Sequence, residues 1–90
     1  MEQARHNIVG ATIRRLRDAQ KLTQETLSAR CEVAGLHLPR GTLAKIEAGI
    51  RGIADIELFV IARVLGVKME ELFPARTGAR LKSGEFAKRE

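Results

Sequence analysis

Apolar side chains recur along this chain at three- and four-residue intervals, the spacing that gathers them on one face of a helix. Val9, Ile13 and Leu16 make a first stripe, and Leu27, Cys31 and Ala34 a second. Leu43 and Ile46 make a third, and Leu58, Ile61, Ala62 and Leu65 a fourth. No stretch shows the two-residue alternation of a half-buried strand. The pattern predicts an all-α domain of five helical segments, the last a short one over residues 68–73 that buries Met69, Leu72 and Phe73.

Local chemistry sets the boundaries of these segments. Asn7 fits the N-cap of a first helix running to Gln20, because its short polar side chain can accept from the free N–H groups of a first turn. Thr23 does the same for the second helix, which makes Gln24 its first residue, and Gly35 suits the left-handed position that closes it after Ala34. Residues 36–38 then form a turn in which Leu36 and Leu38 pack inward. Pro39 has no N–H to leave unbonded and belongs in the first turn of a third helix, expected over residues 39–48 and stopped by Gly49. Asp55 lies near the positive end of the fourth helix, which Gly66 terminates, and Pro74 stops the fifth.

Composition narrows the picture. The chain has 90 residues, of which 44% are hydrophobic, enough to close one small core but not a second domain. A formal charge of +5 and a pI near 10.1 suggest a polyanionic partner. The excess is unevenly placed, however: residues 1–74 carry 11 basic and 9 acidic side chains, and residues 75–90 carry 5 and 2. The chain therefore divides into a domain, residues 1–74, and a basic tail, residues 75–90, that reads as disordered or partner-binding. Any polyanion-binding face within the domain has to arise from sorting charges onto one side.

Several kinds of chemistry are excluded. Cys31, the single cysteine, cannot form an internal disulfide and reads as a small core residue. His6 and His37 are the only histidines and neither has metal-ligand spacing, so no metal site and no cofactor are expected. Residues 49–52 contain two glycines but lack the arrangement of a phosphate-cradling loop. Glu70 and Glu71 are adjacent on a short helix and point in different directions. No enzyme is expected from such a chain. It also lacks an apolar N-terminal stretch or membrane span, which predicts a cytoplasmic protein with no membrane partner.

Residues 22–49 carry the positive signal. Two short helices joined through a glycine, the second with Arg40, Gly41, Ala44 and Lys45 on its outer side, suit the placement of one helix in the major groove of DNA. That outer ridge is small and cationic, so the helix backbone can come close to base edges.

The strings IRRLRDAQKLTQETLSARC, TLAKIEAG and IADIELFVIARVLGVKMEELF, in this order, resemble the lambda-repressor-like helix-turn-helix family, also called the Cro/C1 or Xre type. The resemblance spans residues 8–73 and implies that family's five-helix fold. It places Gln24 where the family uses a glutamine to touch the DNA backbone and brace the reading helix. It makes Arg40 the base reader, since a guanidinium can donate two hydrogen bonds to guanine O6 and N7. Gly41, Thr42 and Lys45 follow on the same helix, Thr42 and Lys45 as contacts to a phosphate or a second base. Arg17 and Glu47 match a structural ion pair of the family. Arg51, in the loop after the third helix, is a further candidate for a phosphate contact.

The chain departs from the family pattern between its second and third helices, where residues 32–38 separate Cys31 from Pro39 and replace a turn of roughly 3–4 residues. The resemblance implies a transcriptional regulator, a repressor that binds double-stranded DNA as a homodimer on an inverted repeat. It also implies a bacterial nucleoid-associated or phage-encoded protein. Two other readings stand beside it. One is an antitoxin that also holds a toxin protein; the other is an adaptor that grips another protein and has no preferred DNA sequence.

Overall fold

The computed structural model describes residues 5–74 of the chain. They form four α-helices: α1 (Gly10–Ala19), α2 (Gln24–Val33), α3 (Arg40–Glu47) and α4 (Asp55–Leu65). A 3-10 helix (Met69–Leu72) follows, and no strand occurs among the described residues. The expectation for the tail, residues 75–90, lies outside them.

One core explains the stripes. Ile13 from α1, Leu27 and Cys31 from α2, Leu43 and Ile46 from α3, and Ile61, Ala62 and Leu65 from α4 are buried together with Val9, Leu38 and Leu72. The third helix sits at the centre of this arrangement, with α1 and α2 both packed against it and α2 also touching α4. Leu16, Leu36, Leu58 and Phe73 lie at the core margin, only half-buried. Ala34 is exposed because α2 ends one residue before it.

The last element differs from expectation. It is a single 3-10 helix of 4 residues, since a segment this short before Pro74 cannot close the longer α-helical hydrogen bonds for more than a turn. Leu72 is fully buried, but Met69 is on the outside at 37% exposure. Two boundaries also shift. Pro39 stands just before α3 as its cap residue, its carbonyl accepting from Leu43 N–H at 3.0 Å. Asn7 lies ahead of α1, where its Oδ1 accepts from the N–H groups of Val9 and Gly10 at 3.0 and 2.7 Å.

Asn7 also looks the other way. Its Nδ2 donates to the carbonyls of Ile46 at 3.0 Å and Arg51 at 2.8 Å, tying the start of α1 to the end of α3. The two helices meet backbone to backbone at Gly10, where an added Cβ would strike the carbonyl oxygens of Ile46 and Glu47. Only glycine allows that approach.

The helix ends share one device. After α2, Leu36 N–H reaches back to Cys31 O and Gly35 N–H to Glu32 O, with Gly35 at φ 97°. The same paired bonds close α1, but there Lys21 occupies the left-handed position at φ 59°. Between α2 and α3, residues 34–39 are held at both sides: Leu38 is buried, and Ser28 Oγ donates to its carbonyl at 2.6 Å.

Candidate nucleic-acid interface

The third helix is fixed on one side and open on the other. Leu43, Ile46 and Glu47 are buried, whereas Arg40, Gly41 and Lys45 are exposed and Thr42 and Ala44 half-buried. An added Cβ at Gly41 would meet nothing within 4 Å, so packing inside the domain does not require a glycine there.

What fixes α3 is a buried ion pair. Arg17 approaches Glu47 with two nitrogens, Nε to Oε2 at 2.8 Å and Nη2 to Oε1 at 2.9 Å. Its third nitrogen donates to Leu22 O at 2.7 Å, at the junction of α1 and α2. The two side chains are 9% and 3% exposed, a position that charges tolerate only when paired and fully hydrogen-bonded. The Glu47 carboxylate, chiefly by its hydrogen bonds, holds the Arg17 guanidinium above its ordinary pKa, against the opposing effect of burial.

Gln24 joins this pair: its Nε2 donates to Glu47 Oε1 at 2.9 Å. Because a carboxylate can only accept, the bond fixes which end of the Gln24 amide faces inward. Thr23 caps α2, accepting from Thr26 N–H at 3.0 Å. Gln24 therefore braces α3 from the first turn of α2.

Arg51 lies in the loop after α3, as expected, with its side chain 36% exposed. It grips Glu57 with two nitrogens, each at 3.0 Å. Glu57 Oε1 also accepts from Ala54 N–H at 2.8 Å, so the pair fastens the loop after α3 to the first turn of α4. The Arg51 hydrogen bonds hold the Glu57 carboxyl below its ordinary range, partly offset by burial. Arg51 is a positioning side chain in this structure.

The sequence reading takes Arg14 for a charge on the solvated face of the first helix, and its side chain is 68% exposed in the structure. An open depression of about 530 Å³ lies where α1, α2 and α3 meet, and Arg14, Arg17, Thr23, Gln24, Glu25 and Arg40 line it. Arg14 is one helical turn from Arg17, and that spacing would have placed it beside the ion pair once Arg17 was assigned.

No group of metal-ligating side chains occurs among the described residues. Cys31 is buried, which pushes its thiol pKa up and keeps it protonated. No helix among the described residues is long and apolar enough to cross a membrane.

Comparisons with known proteins agree with this geometry. A family model described as helix-turn-helix matches residues 13–72. The solved structure of the restriction-modification controller protein C.AhdI from Aeromonas hydrophila is similar at 31% identity and a TM-score of 0.65. That match covers 72% of this chain and 91% of the controller. No curated protein shows significant similarity to the chain. The open face of α3, the buried pair that holds it and these two matches lead to one assignment: the chain belongs to the Cro/C1-type, Xre-like helix-turn-helix family of DNA-binding transcription regulators.

Proposed function

We propose that this protein is a transcriptional repressor that binds an inverted repeat in duplex DNA as a homodimer, with α3 in the major groove. The observation that carries the reading is the two-sidedness of α3. Its inner side is locked by Leu43, Ile46 and Glu47, and its outer side offers Arg40, Gly41 and Lys45. In this reading Arg40 donates to a guanine, Lys45 and Thr42 reach a second base or a phosphate, and Gly41 lets the helix approach closely. Gln24 adds a backbone contact at the start of α2. Arg51 acts indirectly, by holding the loop beside α3. The longer connection over residues 34–39 sets the tilt of α3 relative to α2.

One α3 can read only a few base pairs, so specificity in a genome needs two copies, with half-sites ~34 Å apart. Support for pairing comes from α4, where Ile56 and Phe59 are 55% and 46% exposed one helical turn apart. Met69 is a third exposed apolar side chain close in sequence, and we assign these residues to the dimer face in the cytoplasmic protein.

Guanine-N7 methylation interference tests the mode of binding, because N7 lies in the major groove. Interference at guanines in two half-sites one turn apart is expected. Binding indifferent to N7 methylation contradicts the placement of α3.

A further inference from the structure

We propose that two copies of this chain pair through antiparallel α4 helices, Asp55 of each copy bound to Arg63 of the other and the two Phe59 rings meeting at the two-fold axis. The inference rests on the dimer reading above and adds to it an orientation, a reciprocal ion pair and a rule for which chains pair.

The outer side of α4 is sorted by charge along its length. Asp55, Ile56, Phe59 and Arg63 are all exposed, and helical geometry places them within an arc of about 100° around the axis. Asp55 opens this stripe and Arg63 closes it, each one helical turn from Phe59, ~6 Å along the axis. A stripe that is acidic at one end, apolar in the middle and basic at the other matches its own reverse. In a two-fold pairing residue i meets residue j while j meets i, so reversal about Phe59 sets each Asp55 opposite an Arg63 on both flanks. Parallel α4 helices would instead oppose like charges at both ends, which is repulsive.

Neither charge is engaged inside the domain. No ion pair among the described residues uses Asp55 or Arg63, whereas Arg17 and Arg51 each grip a glutamate. Arg63 lies over the Phe59 ring, 5.6 Å from its centroid, and that contact occupies no carboxylate. It also restricts the long side chain, so part of the ordering cost of an ion pair is met before the copies associate. Apolar groups packed around the pair from both copies would exclude water and strengthen it. The nearby 3-10 helix supplies one rival acid for Arg63. Glu71 Oε2 accepts from Lys68 N–H at 3.0 Å, but Glu70 is exposed beside Met69.

The test measures self-association of the full chain by sedimentation. In the antiparallel arrangement Asp55→Lys opposes two cations on each flank and Arg63→Glu opposes two anions, so each variant alone is expected to self-associate at least roughly tenfold more weakly than the original. Mixed in equal amounts, the two variants are expected to recover a dimer of the original affinity, because the exchanged charges then face their opposites. A chain carrying both substitutions is expected to dimerise again for the same reason, and it serves where circular dichroism shows a single variant to be unfolded. Absence of rescue in the mixture and in the doubly substituted chain would overturn the antiparallel pairing. A loss from only one of the two substitutions would overturn it as well, and from Arg63→Glu alone would assign Arg63 to Glu70. If the original chain sediments as a monomer, the dimer reading itself fails and this pairing with it.

Discussion

Arg17 and Glu47 form a two-pronged pair that fastens α3 to α1, 30 residues apart in sequence and joined by bonds of 2.8 and 2.9 Å. Replacing either side chain by alanine strands its partner's charge in the interior and is expected to cost about 3–5 kcal/mol. Urea unfolding of Glu47→Ala checks this. A loss smaller than ~1 kcal/mol would mean that water already reaches the pair, as at a surface salt bridge.

Gly10→Ala tests the close approach of α1 and α3. The added methyl would press on the carbonyl oxygens of Ile46 and Glu47, so one of the two helices must move. A destabilisation of ~3 kcal/mol is expected in thermal or urea unfolding. A variant as stable as the original would show that the two helices can separate without loss.

Gly41→Ala separates folding from function. The position is open and lies in the first turn of α3, so alanine is expected to leave stability unchanged or raise it by up to ~0.5 kcal/mol. The same methyl would stand between α3 and the groove and weaken DNA binding. A variant that binds as tightly as the original places Gly41 away from the DNA.

The pair formed by Arg51 and Glu57 predicts a pH dependence. The Glu57 carboxyl is held below its ordinary range in the folded state, chiefly by Arg51. A depressed carboxyl contributes stability that is present above its unfolded pKa and lost as pH falls through its folded pKa. Glu57→Gln is therefore expected to be less stable than the original at neutral pH, with the difference shrinking as the pH is lowered past the carboxylate range. A difference that stays constant in unfolding curves across that range would rule out the linkage.

Phe59→Asp tests the proposed pairing face. Phe59 is 46% exposed with Arg63 lying 5.6 Å from its ring, so a polar replacement is tolerated in the monomer. Sedimentation is expected to show a dimer for the original and a monomer for the variant, with weakened binding to an inverted repeat. A variant that still sediments as a dimer moves the interface elsewhere.

Much of this fold could be read from periodicity, because each helix buries one regular stripe. The stripe of α4, through Leu58, Ile61, Ala62 and Leu65, reads directly as a helix, and Thr23 marks the start of α2 through its hydroxyl. The partners of long polar side chains were less legible. Gln24 and Glu47 are 23 residues apart, and nothing local says that their side chains meet. Arg51 reads as a candidate phosphate contact, and its bond to Glu57 depends on a turn of the loop that no local pattern announces. Asn7 showed its local capping bonds in sequence but not its bonds to Ile46 and Arg51 across the helix junction. Met69 followed an apolar rhythm that a 3-10 helix, with its tighter turn, does not keep facing inward.

The most direct test is selection of bound duplexes from a random DNA library at near-physiological salt, followed by sequencing. Specific reading by paired copies of α3 predicts recovery of an inverted repeat with half-sites about one helical turn apart. Recovery of no sequence above background would contradict it and leave a helix-turn-helix fold turned to another partner.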